Sequence, residues 1–111
     1  NTLTGITANS NRIGIYLSSS STNNTLTGIT ANSNRIGIYL WFSSNNTLTG
    51  ITANSNVYGV FLLASSSNNR FSGNASLNSE YDLFCGGSIS NDITGLSYTK
   101  VYNPDDYCFY W

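Results

Sequence analysis

The chain has 111 residues, a net charge of −1, and only 8% charged residues. That is at most one ordinary domain, and so little charge excludes electrostatic attraction to nucleic acid or to an anionic membrane surface. No apolar run approaches the length of a membrane span, so no membrane insertion is expected. There is no Met, which reads as a processed chain or a piece of a longer one. A polar composition alone suggests disorder, but the 40% hydrophobic residues fall in a regular pattern, and the chain is expected to fold.

The chain opens on "NTLTGITANSNRIGIYL" at residues 1–17 and repeats it letter for letter at 24–40. A third copy starts at Asn46, keeps "NTLTGITANSN", and continues as "VYGVFLL". The glycines Gly5, Gly28, Gly50, Gly73 and Gly95 are spaced 23, 22, 23 and 22 residues apart. A period this short and constant makes each repeat one coil of a solenoid, since helical repeats need more than 30 residues. Thr, Ile, Val, Tyr, Gly and Asn favour strands and turns over helix. "TLT" at 2–4 alternates polar and apolar, and "IGIYL" at 13–17 puts Ile13, Ile15 and Leu17 on one side. The clusters "ANSN" and "SSSSTNN" are the turns between.

Stacked coils sit about 4.8 Å apart, so equivalent positions form columns. Ile15, Ile38, Val60, Leu83 and Leu17, Leu40, Leu62 are the expected inward columns. Asn9/Asn32/Asn54 and Asn11/Asn34/Asn56 are expected amide ladders, because Asn tolerates left-handed turns and both donates and accepts. The expectation is an all-β parallel β-helix of about five coils, with 22–23 residues per coil. Residues 1–90 form four coils, and 91–111 form an irregular fifth coil and C-terminal cap.

The phrase "NTLTG…NSN…GIYL…SSSTNNTLTG" resembles the parallel β-helix repeats of NosD-like proteins over residues 1 to about 85. These are secreted and surface proteins of bacteria and methanogenic archaea. The resemblance implies a right-handed helix and an extracytoplasmic setting. The family's preferred Asn after the glycine is Ile in the first three coils and returns only in "GNAS" at 73–76. Its founding association is periplasmic copper handling, but this chain has no His and no Met, the usual copper ligands beside Cys. No copper role, metal or cofactor is carried over.

The last coil departs from the phrase and holds the one Pro. Cys85 lies twelve residues after Gly73, and Cys108 thirteen after Gly95. A one-residue insertion near Asn103–Pro104 then brings Cys108 over Cys85 and Tyr107 over Phe84. Equivalent Cα atoms in adjacent coils are within disulfide range, so a Cys85–Cys108 bridge is expected, worth about 2–4 kcal/mol. Two buried thiols or an intermolecular link are the alternatives. The ending Phe109, Tyr110, Trp111 covers the last apolar layer or plugs into the next molecule. Asn1 opens directly on a repeat, which reads as a segment of a longer stalk or as a subunit that stacks end to end.

The outward column Tyr16, Tyr39, Phe61, Phe84, Tyr107 is either an aromatic ladder that stabilises the coils or a row of sugar-stacking rings. Beside it, Ser18 and Ser19 become Trp41 and Phe42 in the second coil, then Leu63 and Ala64 in the third. This apolar patch on a Ser/Asn-rich surface marks a contact site, with lateral protein packing favoured over a ligand. Sequons at Asn23, Asn45 and Asn74 offer glycosylation sites. A two-column array at Thr2/Thr4, Thr25/Thr27 and Thr47/Thr49 resembles an ice-binding face, but Arg70 and Asp92 break it in later coils, and a plain exposed strand surface is the favoured reading.

The five acids all fall in the last third of the chain, with no His to work beside them. Stacked Asp82 and Asp105 leave room for a weak calcium site, but capping turns carry such acids routinely. No catalytic residue is assigned. The functional expectation is a non-catalytic extracellular structural protein, part of a surface stalk, sheath or filament, that self-associates end to end or laterally. The alternative is a carbohydrate-binding module using the aromatic column, with glycans as the partner.

Overall fold

The structure, a computed structural model, describes residues 1–104 and 108–110. Each coil contributes one strand to each of two parallel sheets. Sheet A stacks β1 (Thr2–Thr4), β3 (Thr25–Thr27), β5 (Thr47–Thr52), β7 (Arg70–Asn74), β9 (Asn91–Ser97) and β11 (Phe109–Tyr110). Sheet B stacks β2 (Ile13–Ser18), β4 (Ile36–Trp41), β6 (Tyr58–Leu63), β8 (Tyr81–Gly86) and β10 (Val101–Tyr102). The result is an all-β parallel solenoid of about four full turns, with a shortened fifth at the top.

Repetition in sequence becomes register in space. Thr2, Leu3 and Thr4 pair with Thr25, Leu26 and Thr27, which pair in turn with Thr47, Leu48 and Thr49. In sheet B, Ile15, Ile38, Val60, Leu83 and Val101 form one column. Leu17, Leu40, Leu62 and Cys85 form another. These columns face Leu26, Leu48, Phe71 and Ile93 of sheet A across a continuous buried core. The remaining corner is lined by Ala31, Ala53 and Ala75, each 0% exposed, where only a methyl fits. Its backbone ladder is unbroken, from Ala8 N–H to Thr30 O up to Ala75 N–H to Ser97 O.

Asn side chains satisfy the turns between strands. The Asn11/Asn34/Asn56 column extends to Asn78. In it the backbone N–H groups of Asn11, Asn34 and Asn56 each donate to the Oδ1 of the next coil's Asn, at 2.7–2.9 Å. Their Nδ2 groups donate to the carbonyls of Ala8, Ala31 and Ala53 in the coil before. The Asn9/Asn32/Asn54 column runs the other way, with Asn9 and Asn32 accepting from the next coil's backbone N–H. A third column, Asn24/Asn46/Asn69/Asn91, escaped the sequence reading, and it alone links amide to amide, at 3.0–3.1 Å. Its signal was the "NN" before "TLT", hidden in what looked like turn composition.

The fifth coil corrects one expectation. It is shortened rather than lengthened: Val101 pairs with Leu83 only 18 residues on, and Tyr102 with Phe84. The cause is Asp82, which occupies the place that Gly14, Gly37 and Gly59 hold below. Its Oδ2 accepts the N–H groups of Thr99 and Lys100, both at 2.8 Å, and draws the chain over β8 early. The Cys85–Cys108 disulfide forms by a different route from the predicted insertion. Cys108 leads into β11, where its carbonyl accepts the Asn91 N–H at 2.7 Å. The bridge therefore ties β8 of sheet B to the start of β11 at the top of sheet A, with Cα atoms 6.3 Å apart.

Candidate functional site

The two sheets present opposite chemistry to solvent. Outward positions of sheet A are Thr2/Thr4, Thr25/Thr27 and Thr47/Thr49, interrupted above by Arg70 and Asp92. Here a shallow depression of about 290 Å³ is lined by Thr49, Arg70, Ser72, Asp92 and Thr94. Its charges are spent on one another. Arg70 Nε lies 3.3 Å from Asp92 Oδ2, and Asp92 Oδ1 accepts the backbone N–H and hydroxyl of Thr94. Those Thr94 bonds, then Arg70, hold the Asp92 carboxyl below the ordinary Asp range against a smaller opposing effect of burial.

Sheet B turns outward a face with no charged side chain. Its central column is Tyr16, Tyr39, Phe61, Phe84 and Tyr102. The fifth rung is thus Tyr102 and not Tyr107, because the coil is shortened; Tyr107 lies outside the described residues. On one side run Ile13, Ile36, Tyr58 and Tyr81, and on the other Ser18, Trp41, Leu63 and Gly86. Ile13 thus faces outward and not with Ile15 and Leu17 as alternation predicted, because Gly14 turns into the Ala31/Asn34 corner. Tyr58 and Tyr81 join the column through edge contacts with Phe84, centroids 5.7 and 5.9 Å apart. Phe42 extends the face, its ring 5.4 Å from that of Trp41.

Ring orientation decides what this face can do. Phe61 and Phe84 lie 4.4 Å apart with planes 7° from parallel, and Phe84 and Tyr102 lie 4.5 Å apart at 13°. Their faces are turned on one another and their edges point outward. Offset stacking of this kind stabilises neighbouring coils by about 0.5–1.5 kcal/mol per pair beyond burial. Toward the first coil the order loosens, with Tyr16 and Tyr39 tilted by 35°. The Tyr39 hydroxyl is held above its ordinary pKa, first by burial and then by Tyr16, so it stays neutral.

Trp41 (39%), Phe42 (51%), Tyr16 (46%) and Tyr102 (39%) remain substantially exposed. Phe42 also has φ of +51°, a left-handed conformation, in a column otherwise built from Ser19, Ala64 and Gly87. Left-handed backbone costs a residue with a side chain about 1–2 kcal/mol. The turn imposes this conformation in each of the first four coils, and only in the second does it carry an exposed ring.

Elsewhere, the sequence candidates scatter. Asn23 and Asn45 are exposed at left-handed turns, φ +58° and +59°. Asn74 is exposed on β7, and its Oδ1 accepts the Ser76 hydroxyl. Phe109 is buried over the last apolar layer; Trp111 and the side chain of Tyr110 lie outside the described residues. Asp82 is fully buried, with Oδ1 accepting from Asn78 and Oδ2 from Thr99 and Lys100, so it ends a ladder. Its supposed calcium partner, Asp105, lies outside the described residues.

Residues 1–102 match the family described as periplasmic copper-binding protein (NosD). The chain belongs to the NosD family. Searches among curated proteins and among solved structures each returned no match. Copper sites in proteins draw on imidazole, thioether and thiolate. This NosD-family chain has no His and no Met, and its two cysteines are bonded to each other. Among the described residues, no three His, Cys, Asp or Glu side chains come together. These residues do not fit copper. A bridged cysteine pair belongs to an oxidising compartment, as expected of a secreted or envelope protein.

Proposed function

We propose that this NosD-family chain is a non-catalytic structural module of the cell surface, one segment of a stalk, sheath or filament. In this reading it meets its neighbours through the outer face of sheet B. The observation that carries the proposal is the uncharged aromatic face, whose upper rings, Phe61, Phe84 and Tyr102, stack on each other and leave their edges to a partner. Edge-on rings pack against protein side chains, whereas sugar stacking needs free ring faces. Two of the acids have structural partners, Asp82 capping a ladder and Asp92 holding Arg70 and Thr94, and the cysteines are bridged. Asn23 and Asn45, at exposed turns, are where surface glycans would attach, and intact-mass measurement of native protein reads that directly.

Two assays test the reading. Incubation with a panel of envelope and plant polysaccharides should release no reducing ends; release that disappears in Asp92→Asn would overturn the non-catalytic role. A glycan array should be blank. Saturable binding abolished by Tyr39→Ala would put the carbohydrate-binding reading in its place.

A further inference from the structure

We infer that the outer face of sheet B is occupied by the same face of a second copy of this chain. The two copies are related by a two-fold axis running along the strands, so their solenoid axes are antiparallel. This rests on the reading of that face as a protein contact and names the partner.

Three observations on the register point to it. The first is charge. The face itself carries none, so burying it against its like strands no unpaired ion, and the whole chain has a net charge of only −1. The second lies at the rim, where the turn residue before the strand is Arg12 on the first rung, Arg35 on the second, Val57 on the third and Glu80 on the fourth, the three charged ones exposed. A two-fold axis through the third rung sets the second rung of one copy against the fourth of the other. Arg35 of each copy then meets Glu80 of its mate, twice over.

The third is shape and polarity within the face. The same operation sets Trp41 against Gly86, the bulkiest residue of its column against the smallest. Phe61 falls on the axis and meets itself, while the hydroxyl-bearing end rungs, Tyr16 and Tyr102, fall opposite each other. Self-complementarity of this kind is what an isologous interface requires. Two sheets packed this way lie about 10 Å apart with strands within about 30°.

Area gives the size class. Four strands of six residues and β10 of two, about 4.8 Å apart with about 3.3 Å rise per residue, give a footprint of roughly 400 Å². A standard stable interface buries about 800 Å² of accessible surface per partner. Even with side-chain relief added, this falls below that standard size, in the class of weak and transient contacts.

Sedimentation equilibrium of the oxidised protein over a wide concentration range tests the inference. The apparent mass should rise from 12.0 kDa toward twice that value and stop there. Arg35→Glu and Glu80→Arg, both at exposed positions, should each weaken the dimer by about threefold or more. Combined in one chain they should restore it, and Trp41→Ser should abolish it. A monomer at every concentration, growth beyond the dimer, or a double variant no tighter than the singles would overturn the pairing. Neither the polysaccharide assay nor the glycan array depends on pairing. A monomer that passes both therefore overturns this inference while leaving the structural role intact.

Discussion

Phe42 and Asp82 show what single departures from the repeat do. Phe42 spends backbone strain and exposes a ring, and neither stabilises an isolated coil. Leu77 is the only other large apolar residue so placed among the described residues, at φ +60° and 80% exposed, but it belongs to the distant Ser10/Ser33/Ser55 column. Phe42→Gly should leave the unfolding free energy unchanged or raise it by up to about 1 kcal/mol, measured by urea denaturation of dilute protein. A loss of more than about 1 kcal/mol would mean that Phe42 serves the fold. Asp82 is the opposite case. Burial pushes its carboxyl pKa up, but the bonds from Lys100, Asn78 and Thr99 outweigh this and leave it below the ordinary 3.8. A folded pKa below the unfolded one adds stability that is fully present above the ordinary value. That stability is lost as pH falls through the lowered folded pKa. Asp82→Asn should cost about 1–3 kcal/mol at neutral pH, because its amide turns donors toward N–H donors. The cost should shrink on acidification below about pH 4, and an unchanged difference at pH 2 would contradict the role.

At the scale of the element, the ladders are what the repeat encodes. The identical coils made the strands, the inward aliphatic columns and two Asn columns legible, because a column is only a position repeated at a fixed period. Two things were illegible for physical reasons. The direction of each ladder depends on which way the Asn amide turns at the corner, and spacing carries no trace of that. The shortening of the fifth coil depends on a contact between Asp82 and backbone 17 and 18 residues away, so counting from the glycines placed Tyr107 where Tyr102 stands. The ladders differ in burial, and their substitutions should differ too. Asn56, 2% exposed, accepts the Asn34 N–H and donates to Ala31 O. Asn56→Ala strands both and should cost about 2–4 kcal/mol, whereas Asn9→Ala, at an exposed corner, should cost under about 1 kcal/mol. Gly59→Ala tests the same ladder from the other side, since its Cβ would sit 2.6 Å from Asn78 Nδ2. It should lower stability by about 1–3 kcal/mol. Equal effects of Asn56→Ala and Asn9→Ala on the denaturation midpoint would contradict this account of the ladders.

At the scale of the molecule, the top of the solenoid is closed by the fifth rung and the disulfide, while the outer face of sheet B is left uncovered along its length. The bridge closes a span of 23 residues, for which loop-closure entropy gives about 3 kcal/mol. Reduction should lower the unfolding free energy by about that amount and open residues after Gly86 to proteolysis before the lower coils. Simultaneous digestion of all coils would contradict a local closure. Family membership, by contrast, told more about fold than about chemistry. The NosD match extends over residues 1–102, yet the ligands that copper needs are missing, and the individual features lie at Trp41, Phe42 and the outward rings. The central claim is that these rings form a contact face. Hydroxyl-radical footprinting of the protein in its native envelope preparation, compared with dilute purified protein, tests it most directly. The account predicts that Tyr16, Trp41, Phe42 and Tyr102 are oxidised markedly more slowly in the native preparation, while Leu77 on the far corner reacts equally in both. Equal oxidation of the four rings in the two preparations would contradict it.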